Sequence, residues 1–122
     1  MTLRKVLMIE DSEDVQTLLR DILEPVPNAE LLSATTLTEG EHLFRTHVHD
    51  LALIIVDGCV DSQNMLDSLP LIHRIRRVGY SGPMWATSNH QPYRALMLQA
   101  GCTREVEKGE LPEAIPAFFN RI

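Results

Sequence analysis

Hydrophobic positions along this chain alternate between two rhythms. Val6-Leu7-Met8-Ile9 and Leu51-Ala52-Leu53-Ile54-Ile55-Val56 are continuous apolar runs rich in β-branched residues. Runs of that length and composition suit strands buried on both faces of a parallel sheet. Between them, Val15, Leu18, Leu19, Ile22 and Leu23 fall at helical spacing. Ser12 is the expected N-cap of that helix, and Pro25 and Pro27 stop it. Residues 29–34 are short enough for a second strand. Thr36 and Glu39 then have capping-box spacing, ahead of a stripe made by Leu37, Leu43 and Phe44.

The second half repeats the alternation. A third strand over 51–56 is followed by a long polar connection, 58–64, and a helix carrying Leu66, Leu69, Ile72, Ile75 and Arg76. Gly79 and Gly82-Pro83 close that helix and lead into a fourth strand, Met84-Trp85-Ala86-Thr87. Tyr93, Leu96, Met97 and Ala100 mark another helix, ended by Gly101-Cys102. A fifth strand is expected over 104–108, although Val106 is its only apolar residue. The last helix starts near Pro112, and Pro116 falls inside it, where proline costs about 3 kcal/mol unless the helix starts late or kinks. Strand–helix alternation of this kind predicts an α/β fold, a doubly wound parallel sheet with helices on both faces.

Composition narrows the class. A chain of 122 residues, 44% hydrophobic and 23% charged, fits one globular domain, expected over 1–122. The net charge of −6 and the scattering of basic residues outside Arg74, Arg76 and Arg77 argue against direct nucleic-acid binding. Cys59 and Cys102 stand apart with no CxxC or His-rich context, so no disulfide or zinc scaffold is expected and a reducing, cytoplasmic setting is the simpler reading. No apolar stretch approaches the roughly 20 residues of a membrane helix. The N-terminal residues are expected to run directly into the first strand, with no signal peptide.

The chemistry sits where the apolar runs stop. The first ends in Glu10-Asp11 and the third strand ends in Asp57. Carboxyl ends of strands form the ligand-binding edge of open α/β sheets. Taken singly, Glu10 and Asp11 are also explained as favourable charge at a helix N-terminus, and Asp57 as a loop cap. Taken together on adjacent strands, like charges roughly 4 Å apart repel by about 4 kcal/mol at an effective dielectric of about 20, and the cluster calls for a cation. Hard oxygen donors suit Mg²⁺. Ser88 follows the fourth strand and Lys108 the fifth, so both reach the same edge. A carboxylate nucleophile, a metal site, a hydroxyl and a fixed cation are what phosphoryl transfer to an aspartate requires.

With these residues in this order, the chain resembles the receiver domain of two-component response regulators, of the chemotaxis-regulator kind, over essentially its whole length. The pieces are Val6-Leu7-Met8-Ile9-Glu10-Asp11-Ser12, Asp50 through Asp57, Pro83-Met84-Trp85-Ala86-Thr87-Ser88, Ala100-Gly101-Cys102 and Lys108. The resemblance implies a flavodoxin-like (βα)5 fold with strand order 2-1-3-4-5. It implies Asp57 as phospho-acceptor, with Mg²⁺ held by Glu10, Asp11, Asp57 and the backbone carbonyl of Cys59. Ser88 is implied as the switch hydroxyl, Thr87 being the fallback, and Lys108 as the lysine that pairs with the phosphorylated aspartate.

There are departures from the family pattern. Glu105 and its neighbours occupy the place of the common aromatic switch residue, and Gly109 stands where proline usually follows the lysine. The connection after Asp57 lacks the common proline and is longer than the family pattern by about three residues. His42, His47, His49, His73 and His90 lack metal-ligand spacing. His90, two residues past Ser88, is placed to border the water that attacks an acyl phosphate. Trp85 reads as a core or strand-face residue and Cys59 as a small packing residue.

The expected function is a phospho-accepting signalling domain, not an enzyme in the ordinary sense. Its expected partners are a sensor histidine kinase or a histidine phosphotransfer protein, with an effector domain possible in the full-length protein and no membrane contact. Two other classes compete. One is a phosphorylation-independent interaction module with the same fold. The other is a Mg²⁺-dependent aspartyl-nucleophile phosphohydrolase, disfavoured because Cys59 stands where a second aspartate belongs.

Overall fold

The apolar runs form the middle of the sheet. In the computed structural model, which describes residues 2–121, five strands lie parallel among the described residues: β1 (Arg4–Ile9), β2 (Ala29–Ala34), β3 (Leu51–Asp57), β4 (Met84–Thr87) and β5 (Arg104–Glu105). Met1 and Ile122, the two ends of the expected domain, lie outside the described residues. The order β2-β1-β3-β4-β5 is the expected one. Among the described residues, five α-helices connect and flank the strands: α1 (Glu13–Leu23), α2 (Leu37–His47), α3 (Leu69–Val78), α4 (Gln91–Ala100) and α5 (Leu111–Asn120).

The period of two along each strand divides the core into two layers. Leu7, Ile9, Ile54, Val56, Met84 and Ala86 face Phe44 of α2, Ile72 and Ile75 of α3 and Met97 of α4. Val6, Met8, Leu53, Ile55 and Trp85 face Leu19 and Leu23 of α1 and Ile115 and Phe119 of α5. Full burial of such a side chain contributes roughly 1.5–3 kcal/mol. Gly40 lets α2 sit close to β1, because a Cβ there would come within 2.9 Å of the Ile9 side chain.

The caps follow the sequence closely. Ser12 Oγ accepts the Val15 amide at 3.3 Å, and Thr36 Oγ1 accepts that of Glu39 at 3.0 Å. Glu39 returns one residue further back than the box predicts, taking the Thr35 amide at 2.8 Å. Gly79 ends α3 at φ 112°, in the left-handed region that favours glycine. Most of the basic run at the end of α3 is used in packing. Arg74 holds Glu41 through two nitrogens at 2.9 and 3.0 Å, and Arg76 serves the carbonyls of Tyr80, Gly82 and Gly101.

Three expectations need adjustment. Leu66 precedes α3, which starts at Leu69, because residues 58–68 are held as a loop around Asp67. The Asp67 carboxylate accepts the amides of Val60, Asp61 and Ser62 at 2.8, 2.9 and 2.9 Å, and Asp61 in turn accepts the Leu37 amide at the start of α2. β5 spans Arg104–Glu105 rather than 104–108, since Lys108–Glu110 form a 3-10 turn closed by a Glu107/Glu110 capping box. Val106 still donates its amide to Ala86 and is fully buried. Pro116 lies within a continuous α5. The carbonyl it leaves without an amide is that of Pro112, in the exposed first turn where water can serve it.

Candidate functional site

At the carboxyl edge of the sheet, β1 runs into Glu10 and Asp11, and β3 ends at Asp57. Glu10 is fully buried, Asp57 is 6% exposed, and Asp11 opens to solvent. One carboxylate oxygen from each lies within 4.8 Å of the other two. Lys108 enters from the 3-10 turn after β5. Its ammonium stands 2.6 Å from Glu10 Oε1 and 3.5 Å from Asp57 Oδ2. That contact serves a carboxylate oxygen with no other hydrogen-bond partner.

The backbone beneath the acids is fixed by a residue absent from the sequence-level reading. Gln16, fully buried in α1, points its amide nitrogen at the carbonyls of Met8, Glu10 and Ala34 at 3.0–3.1 Å. Its signal is a polar residue on the buried stripe of α1, three positions before Leu19. Asp57 is held by the Gly58 amide at 2.8 Å and lies opposite Thr87 in the register of β3 and β4.

Electrostatics follow from this crowding. Burial pushes the Glu10 carboxyl above the usual carboxylate range, and the Asp57 charge adds to it. Asp57 is also raised, by burial acting against the pull of Lys108. Asp11 shifts the same way, through burial and then the adjoining Glu10. Burial works to lower the Lys108 ammonium, but the Glu10 hydrogen bond and the Asp57 charge outweigh it and leave it raised. All three carboxyls are thus raised even with Lys108 in place, burial being the first cause in each. A compact set of hard oxygens, one side open to solvent, fits a divalent cation such as Mg²⁺.

The mouth is a cleft of about 160 Å³ lined by Asp11, Asp57 and Lys108 together with Cys59, Gln63, Ser88, Asn89 and His90. Of the two candidate hydroxyl residues, Ser88 lines this cleft, whereas Thr87 Oγ1 faces the Val56 carbonyl at 3.4 Å within the sheet. Ser88 Oγ accepts the His90 amide at 3.1 Å. Cys59 is half-buried at the rim, its thiol raised by burial and then by the charge of Asp57. Glu10, fully buried, lies outside the cleft lining and meets it through Lys108.

By sequence, the chain matches no family model and no curated protein. By structure it has clear likenesses. A signal receiver domain of an HD domain-containing protein from Pseudomonas fluorescens Pf-5 aligns with a TM-score of 0.79 at 17% identity, over 98% of this chain and 93% of that one. A response regulator receiver domain protein from Clostridium thermocellum gives 0.77 at 21% identity, covering 98% and 96%. The chain has the receiver fold. A two-component response regulator of the LuxR family from Aurantimonas sp. SI85-9A1 gives 0.75 at 17% identity, covering 98% and 87%. In this receiver fold the acid cluster occupies the strand-order switch between β1 and β3, where open α/β sheets bind their ligands. Among the described residues, no helix is long and apolar enough to cross a membrane.

Proposed function

We propose that this chain is a phospho-accepting signalling domain of a two-component system, with Asp57 as the acceptor. The observation that carries the reading is the meeting of Glu10, Asp11, Asp57 and Lys108 at the carboxyl edge of a receiver fold.

The donor is a phosphohistidine on a sensor histidine kinase or a histidine phosphotransfer protein. An Asp57 carboxylate oxygen forms the new O–P bond while the P–N bond breaks, and the imidazole leaves with the electron pair and takes a proton from solvent. Mg²⁺, held by Glu10, Asp11, Asp57 and the Cys59 carbonyl, supplies charge neutralisation to the phosphoryl oxygens when bound. Lys108 offers a fixed cation beside Asp57, and Ser88 a hydroxyl at the cleft wall. The acyl phosphate adds up to about two negative charges, which draw Lys108 and Ser88 inward and bias an existing conformational equilibrium. His90 borders the path of the water that ends the signal. The domain acts as a single unit over 1–122 in the cytoplasm, and its only chemistry is its own phosphorylation and dephosphorylation.

Incubation with acetyl phosphate, with and without Mg²⁺, followed by intact mass, tests this. The expected result is a Mg²⁺-dependent phosphoryl adduct that Asp57→Asn abolishes. Mg²⁺ binding with no adduct would sink the reading in favour of an interaction module.

A further inference from the structure

Arg94 is a charged side chain that the reaction above does not use, yet the fold buries it to 7% exposure. It projects from α4 into the space between that helix and β5. Its three nitrogens are divided among three partners. Nη1 donates to the Ser88 carbonyl, Nε meets Glu105 Oε1 at 3.0 Å, and Nη2 lies 3.7 Å from Glu107 Oε1. A buried guanidinium requires such partners, and its planar fork suits engaging a carbonyl and a carboxylate together.

The placement of those partners is informative. Ser88 walls the cleft, and its hydroxyl and carbonyl are held separately, the first by the His90 amide and the second by Arg94. Glu105 belongs to β5, and Glu107 immediately precedes Lys108. One side chain therefore ties the loop bearing Ser88 to the segment that ends in Lys108. A movement of the Ser88 backbone towards Asp57 carries its carbonyl along and must either move Arg94 or break its bond.

We propose that Arg94 is a positioning residue that transmits displacement of Ser88 through the Arg94–Glu105 ion pair to β5 and the face of α4. The inference rests on the phospho-acceptor reading, since a group on Asp57 is what displaces Ser88. The chain carries its own reporter of β5. Trp85, its only tryptophan, lies opposite Arg104 in the β4–β5 register, with the Arg104 guanidinium 5.0 Å from the ring centroid. Arg104 adjoins Glu105, so motion of β5 alters the charge above the indole.

The test uses the whole chain with acetyl phosphate and Mg²⁺, reading intact mass for the adduct and Trp85 fluorescence for β5. The wild type is expected to take the adduct and change its emission. Glu105→Gln removes a charge from a partly exposed side chain that does not line the cleft, so the adduct should form as in the wild type while the emission change is lost. Arg94→Lys, which cannot span both partners, should lose most of the change, and thermal melts establish that both variants are folded. An undiminished emission change in folded Glu105→Gln would overturn the inference, as would a wild-type adduct with no emission change. A wild type that takes no adduct overturns the phospho-acceptor reading itself, and this inference with it.

Discussion

Lys108 Nζ is closer to Glu10 than to Asp57, at 2.6 Å against 3.5 Å. The ammonium is thus anchored on the fully buried acid while remaining within reach of the proposed acceptor. It supplies the positive charge that a metal would otherwise bring to the same oxygens. Removing it should favour the metal. In Lys108→Met, Mg²⁺ affinity measured by calorimetry at neutral pH is expected to rise about tenfold, equivalent to about 1.4 kcal/mol. Unchanged or weaker binding would mean that the lysine and the cation do not compete.

Gln16 supports the acids from below. In Gln16→Leu the Met8 and Glu10 carbonyls lose their side-chain donor in a buried setting, while Ala34 still accepts the Glu10 amide. Unsatisfied buried polar groups cost about 1–3 kcal/mol. Urea denaturation should show a loss in that range. A neutral result would show that water replaces the amide.

Asp67 organises the loop after β3 in a similar way. Asp67→Ala leaves the amides of Val60, Asp61 and Ser62 without their acceptor. Amide hydrogen exchange should accelerate at those residues, with β1 and β3 protection unchanged. Asp67→Asn, which retains one acceptor oxygen, should fall between the two. Equal exchange in all three proteins would remove Asp67 from this role.

Glu41 predicts a pH dependence. The Arg74 guanidinium holds its carboxyl below the usual value, and Arg45 adds to the effect. A depressed carboxyl contributes stability above the unfolded-state value near 4.5 and loses it as pH falls through the lower folded-state value. The pair is partly exposed, so its contribution is at most about 1 kcal/mol. The wild type should melt above Glu41→Gln at pH 7, and the gap should close in strong acid. A gap independent of pH would rule out ionisation as its origin.

Parts of this structure were legible in the sequence for identifiable reasons. Strands β1 and β3 are continuous apolar runs because both faces are covered, and Ser12 and Thr36 declare their helices through the amides they accept. β5 was not legible in its extent, since a two-residue strand leaves little pattern and Glu107 instead caps the turn bearing Lys108. Leu66 matched the helical period of α3 by coincidence, while Asp67 stabilises the loop through contacts that spacing does not encode. The acids stood out because they end apolar runs, and Lys108 because the expected fifth strand led to it. Gln16 and Arg94 did not, since each is a polar residue on an apolar helical stripe whose partners come from distant segments. The choice of Ser88 over Thr87 at the cleft wall depends on where β4 ends, and the structure places Thr87 as its last residue.

The loop beside the cleft is saturated with the chain's own anions. Backbone amides that attract phosphate in other α/β proteins are here taken up by Asp67 in the loop and by Asp61 at the start of α2. A free anion drifting to the mouth meets the charges of Asp11 and Asp57, with Lys108 already engaged by Glu10. The entrance therefore offers no ready cradle for a free anion until a cation neutralises the acids, which is why the proposed adduct is expected only with Mg²⁺.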